Sequence, residues 1–131
     1  MKKVLLAVFT LLVFALSNVA HADPDPRKWH WIGSNDEVGF FVSTQRPQKY
    51  GYGVKQWVMH CYGDGTSCLL LSGFLWDNGK YTAFLQSVSY DSEGRPTDSY
   101  ICPYVEWDAV VPDSYGESIW DYVNSQRRRM K

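Results

Sequence analysis

The stretch Trp107-Asp108-Ala109-Val110-Val111-Pro112-Asp113-Ser114-Tyr115-Gly116-Glu117-Ser118-Ile119-Trp120-Asp121-Tyr122-Val123 decides how the rest of the chain is read. It has the form of a strand end, a sharp turn and one amphipathic helix. Pro112 lacks the N–H of a ladder hydrogen bond, so a strand stops near it. Ser114 and Glu117 have the S-x-x-E spacing of a capping box. The serine oxygen accepts from the Glu117 N–H, and the glutamate reaches back to the Ser114 N–H. Asp113 and Glu117 add negative charge at the positive end of the helix. Tyr115, Ile119 and Val123, with Tyr122 alongside, form one apolar stripe. A lone short helix is marginal in water and needs a sheet to lie on.

Working outward, the preceding sequence supplies that sheet. Lys28 to Ile32 alternates, with Trp29 and Trp31 on one face, and Glu37 to Ser43 is a second strand. Thr44 to Gly53 is polar, contains Gly and Pro, and is expected to be a loop. Gln56 to Tyr62, Ser67 to Trp76, Lys80 to Tyr90 and Asp98 to Val105 complete the set. Asp64-Gly65 and Asn78-Gly79 are hairpin signals, and Ser92-Glu93-Gly94 turns the chain again. The expected fold is α+β: an antiparallel meander of about six strands with one C-terminal helix on one face. A turn centred on Asp64-Gly65 would place Cys61 opposite Cys68. One centred on Asn78-Gly79 would place Trp76 opposite Tyr81 and Phe74 opposite Ala83.

Met1 to Ala22 has the layout of a secretory signal peptide. Lys2 and Lys3 precede an apolar run from Val4 to Leu16, and Ala20-His21-Ala22 is a cleavage site. That run is too short to span a bilayer comfortably. Residues 23–131 are then expected to be one domain, exported to the periplasm or beyond, with no transmembrane helix and no lipid-anchor cysteine near the cleavage point. Acidic residues outnumber basic ones by 14 to 13, and two of the bases lie in the leader. Arg127, Arg128, Arg129 and Lys131 gather at the end, where cations suit the negative end of a helix. The remaining body is acidic, which argues against nucleic acid as a partner.

The ending W-x-x-x-V-P-x-S-x-G-E-S-I-W resembles that of the bacterial surface-adhesin protein E family. Trp31 to Asp36 leading into Gly39 to Val42 is similar to the same pattern. So is Val54 to Val58 followed by Asn78 to Tyr81 and Tyr90 to Gly94. The resemblance spans about residues 29 to 124. It implies six strands with a helix laid across them, in an exported protein of a Gram-negative bacterium. It also implies attachment to host matrix or serum proteins such as vitronectin and laminin. In that family a disulfide typically ties the sheet to the last helix. The corresponding positions here are Asn124 and the neighbourhood of Trp76, so that tether is absent and packing must hold the helix.

Three cysteines in an exported chain allow one disulfide and one remaining thiol. Of three pairings, Cys61–Cys68 is favoured by the expected register, which leaves Cys102. Enzymatic signatures are sparse. His60 and Cys61 are strand neighbours and point to opposite faces, and a pairing of Cys102 with His30 or His60 is the remaining nucleophile arrangement. No recurring ligand spacing points to a metal, no paired carboxylates stand out, and no cofactor is expected. The expectation is a non-enzymatic protein. Its alternative is a periplasmic inhibitor of an enzyme such as lysozyme, with an acidic surface suited to a basic target.

Both faces of the sheet are apolar, and one helix covers only one. In the third predicted strand, Trp57, Met59 and Cys61 point one way and Val58, His60 and Tyr62 the other. Either the Trp57/Met59 set or the Val58/His60/Tyr62 set therefore remains as a binding surface for a protein partner or a second copy of the chain.

Overall fold

The computed structural model describes residues 24–129. The leader, and Met130 and Lys131 of the basic tail, lie outside the described residues. Eight strands and one helix follow in order: β1 (Trp29–Ser34), β2 (Val38–Ser43), β3 (Gln48–Tyr50), β4 (Gly53–Tyr62), β5 (Ser67–Trp76), β6 (Lys80–Tyr90), β7 (Pro96–Ile101), β8 (Asp108–Ala109) and α1 (Tyr115–Arg128). All pairings are antiparallel in one sheet, with the path β1-β2-β4-β5-β6-β7. The sheet is thus six strands wide, as expected. β3 extends the β2 edge of β4, and β8 extends the β7 edge of β6.

The expected loop from Thr44 to Gly53 therefore contains a strand. Pro47 beside it is fully buried, which anchors the segment. The last long strand ends at Ile101, not Val105, and Pro103 follows within two residues.

The hairpin positions hold, but both registers move by one residue. In the β4–β5 turn, Tyr62 N donates to Thr66 O at 2.9 Å and Gly65 N to Tyr62 O at 3.0 Å. The loop is Gly63-Asp64-Gly65, with Gly65 at φ 91°. Such a three-residue loop ends on a left-handed glycine, and its odd length shifts every pair. Asp64 Oδ1 fixes it by accepting from the Thr66 N–H and hydroxyl at 2.9 and 2.6 Å. Cys68 consequently faces His60, and Cys61 faces Ser67. Cys61 and Cys68 lie on opposite faces, and the expected disulfide between them is not formed. In the next hairpin, Trp76 pairs with Lys80 and Phe74 with Thr82. Asn78 takes φ 55° at that tip.

Helix α1 starts where the sequence places it. Ser114 is the N-cap, in extended geometry, and its Oγ accepts from Glu117 N at 3.1 Å. The reciprocal arm is displaced by one residue, because Glu117 Oε1 accepts from Asp113 N at 3.0 Å. The other Glu117 oxygen receives Lys80 Nζ at 2.9 Å. Ser114→Ala should cost about 1 kcal/mol, since an N–H at the helix start loses its acceptor. Denaturant melts with an unchanged midpoint and slope would contradict this cap.

The Glu117 carboxyl sits below its ordinary value of 4.5, first through the Asp113 N–H and then through Lys80. A carboxylate depressed in the folded state stabilises fully above its unfolded value, and that contribution is lost as pH falls through the folded one. The stability difference between the native chain and Glu117→Gln should therefore shrink as pH drops below 4.5. Melts that keep the same difference at acid pH would sink that assignment.

The helix packs on the β4 residues of even number. Its Ile119, Trp120 and Val123 join Val42, Val54, Val58 and Phe74 in the core, flanked by Ile32, Phe40, Val110 and Tyr122. Burial of each such side chain stabilises by about 2 kcal/mol. Tyr115 remains partly exposed, but its ring lies against Gly33 and stacks on Phe40, with ring centres 4.7 Å apart. Its hydroxyl donates to Ser34 O at 2.6 Å.

A buried glutamine pair binds the other end of the helix. Gln56 Nε2 donates to Gln45 O at 2.7 Å and to Gln126 Oε1 at 3.2 Å. Gln126 Nε2 donates to Ser43 O at 2.8 Å. Gln56 Oε1 accepts from Trp57 N at 2.9 Å. These amides satisfy the carbonyls of Ser43, at the end of β2, and of Gln45, in the β2–β3 connection. Together with Lys80 and Tyr115, they fasten the helix without a covalent tether.

Candidate functional site: the helix-free face of the sheet

Antiparallel partners share a face, so the register determines what lies opposite the helix. One row runs across six strands: Trp31, Phe41, Met59, Leu69, Val88 and Ser99. The next row is Trp57, Leu71, Gln86 and Ile101. The β6 bulge at Leu85 preserves these rows across a change of parity, since Ala83 and Gln86 both face this side. Phe41, Trp57, Met59, Leu69, Leu71 and Val88 are each half-buried, while Trp31 at one edge is 58% exposed and Ile101 at the other is 72% exposed.

Two pieces of chain partly cover the face. At one end Trp107 lies on Gly73, where a Cβ would come within 2.8 Å of the indole. Tyr50 sits beside it at 6.3 Å between ring centres. At the other end residues 24–28 fold into a turn, with the Lys28 and Trp29 N–H groups donating to Asp25 O at 2.9 Å. Thr44 holds this turn, its N–H donating to Lys28 O at 2.9 Å and its hydroxyl to Arg27 O at 2.6 Å. Crevices of about 360 and 270 Å³ flank the turn, the first reaching Trp57 and Leu69 and the second Met59 and Cys61. A wider one of about 530 Å³ joins Trp31 and Phe41 to the acidic turns at Asp36, Glu37 and Asp64.

The two residue sets singled out in the sequence thus separate. Trp57 and Met59 are brought together with Phe41, Leu69 and Leu71 on the helix-free side. Val58 is 3% exposed and belongs to the core. His60 is on the helix side, edge-on to Phe40 at 5.0 Å and near Tyr62 at 6.4 Å. Desolvation lowers its pKa, which favours the neutral imidazole. Burial raises the Tyr62 hydroxyl, with Cys68 and Asp64 adding to the effect. The alternation of β1, β2 and β5 carried the signal for Trp31, Phe41, Leu69 and Leu71. The N-terminal turn had none beyond its two prolines.

Ser89 Oγ lies 3.9 Å from Cys68 Sγ, and Cys102 Sγ donates to Tyr104 O at 2.9 Å. Among the described residues no group of three or more His, Cys, Asp or Glu is placed to hold a metal ion, and no helix is long and apolar enough to cross a membrane.

Comparisons with family models, with curated proteins and with solved structures find no match to this chain.

Proposed function

We propose that the chain is an exported, non-enzymatic binding protein that holds a protein partner against its helix-free sheet face. The observation that carries this reading is the pair of cross-strand rows centred on Trp57 and Met59, apolar except at Gln86 and Ser99 and, among the described residues, covered only in part by Trp107 and the 24–28 turn. Contiguous apolar patches of this kind mark interaction sites, and aromatic and Met side chains are enriched in interface cores. The resemblance to surface-adhesin E points to host matrix or serum proteins as the partner class. The purified chain should bind immobilised vitronectin or laminin in surface plasmon resonance, and Trp57→Glu should remove that binding. Equal binding by Trp57→Glu, with its melting curve unchanged, would exclude this face.

A second reading, a periplasmic enzyme inhibitor, draws on the crevice rimmed by Asp36, Glu37 and Asp64. A carboxylate-rich rim complements a basic enzyme such as lysozyme. Inhibition of lysozyme that is lost on Asp36→Asn with Glu37→Gln would favour this reading, and absence of inhibition would dismiss it.

A further inference from the structure

A second concavity lies on the opposite side of the sheet, beside the C-terminal half of α1. Its throat, about 170 Å³, has Val54, Phe74 and Val123 among its lining, with Trp76, Trp120 and Tyr52 around it. It shares Trp76, Trp120, Asn124 and Arg127 with a wider mouth of about 470 Å³, which adds Lys80, Asp121 and Arg128. Two large aromatics stand uncovered here: Trp76 is 61% exposed and Tyr52 fully so. Neither contributes to the core, and the Trp76 and Trp120 rings meet at 6.3 Å and 57°. An apolar cavity of about 150 Å³ accommodates benzene, so the throat suits one aromatic or branched aliphatic group.

The mouth has an excess of positive charge. Lys80 is held between two carboxylates, Glu117 at 2.9 Å and Asp121 at 2.7 Å, which leaves the trio with one net negative charge, and it lies over the Trp120 ring at 5.3 Å. Asp121, the one acid lining the mouth, is thereby occupied. Arg127 donates through Nε and Nη2 to Asn124 Oδ1 at 3.2 and 2.9 Å. That contact orients the guanidinium and leaves Nη1 and the Asn124 amide as donors. Among the described residues, neither Arg127 nor Arg128 has an acidic partner. The negative end of the helix offsets about half a charge and the Lys80 trio one more, together less than the two arginines supply. Guanidinium groups match a carboxylate fork to fork.

We propose that this crevice binds an apolar group carrying a carboxylate, with the side chain in the Trp76–Trp120 throat and the anion on Arg127 and Arg128. The C-terminal residue of a peptide and a free N-acyl amino acid both present that chemistry. The test is a titration of the purified chain with N-acetyl-L-phenylalanine, with its amide, and with a pentapeptide ending in phenylalanine, read by indole N–H shifts in NMR. The Trp76 signal should move with the acid, and the amide should bind about tenfold more weakly, the loss expected for one charge-assisted contact. Arg127→Gln with Arg128→Gln should impose the same loss on the acid, with the far-ultraviolet circular dichroism spectrum unchanged. Tighter binding of the peptide than of the acid would assign the natural source to chain ends, and the reverse to free acids. Equal binding of acid and amide, or binding of acetate as tight as that of the acid, would overturn the proposal. So would a Trp76 signal that none of the probes moves. The partner surface on the far face is not touched by these variants, so the two readings fail separately.

Discussion

Val58→Glu should leave the domain unfolded at neutral pH, while Trp57→Glu, one residue earlier on the same strand, should leave it folded and abolish binding. Val58 is 3% exposed among Val42, Phe74 and the helix residues. An unpaired carboxylate there costs several kcal/mol even after relaxation. A domain of this size has only about 5–15 kcal/mol in total. Trp57 points to the half-open face, where a glutamate side chain reaches water. Far-ultraviolet circular dichroism separates the two variants, and sedimentation reveals any self-association that Trp57→Glu removes. Unfolding of both variants would mean that the second face is core and carries no partner.

Gln56→Leu should destabilise by about 3 kcal/mol, a fall in midpoint on the order of 15 °C. The substitution strips Gln126 Oε1 of its donor and Trp57 N of the Gln56 oxygen. Both lie in buried or half-buried surroundings, where an unsatisfied polar group costs about 1–3 kcal/mol. Gln126→Leu should cost a similar amount. The double variant should cost less than the two singles together by about 1 kcal/mol, because each single leaves an amide orphaned that the double removes. Strict additivity in urea melts would show that the two amides do not act as a pair.

The elements of this fold were readable where periodicity and turn chemistry coincide. β5 and β6 have the bounds their hairpin signals gave, and Ser114 caps the helix. The β4–β5 register was not readable, because a Gly-Asp-Gly-Thr sequence is compatible with loops of two or three residues; a two-residue turn would need Asp64 as well as Gly65 left-handed, and only Gly65 is, with Tyr62 N bonded to Thr66 O. β3 escaped notice because its three residues are too few to alternate and sit between Pro47 and Gly51. Gln56 and Gln126 were invisible as core residues, since an isolated glutamine reads as surface. Trp120 was missed for another reason: a stripe counted in fours from Tyr115 passes through Ile119 and steps over its neighbour. The choice of face could not be made from alternation alone, because both parities of β4 are apolar, and the helix position resolves it.

The contact of α1 with β1 has a kinetic consequence. Each long strand pairs with the one before it or, at β2 and β4, across a short excursion, so the meander assembles from loops of modest length. The helix instead returns to the start of the chain, where Tyr122 stacks on His30 with ring centres 4.0 Å apart. Closing a loop that spans nearly the whole domain is the slow entropic step when such non-local contacts must form. Docking of the last element on the first should therefore be the late step of folding, and the apolar side of the sheet that the helix covers stays exposed until then. Such exposed apolar surface favours aggregation, and a holding chaperone would shield it until the helix docks.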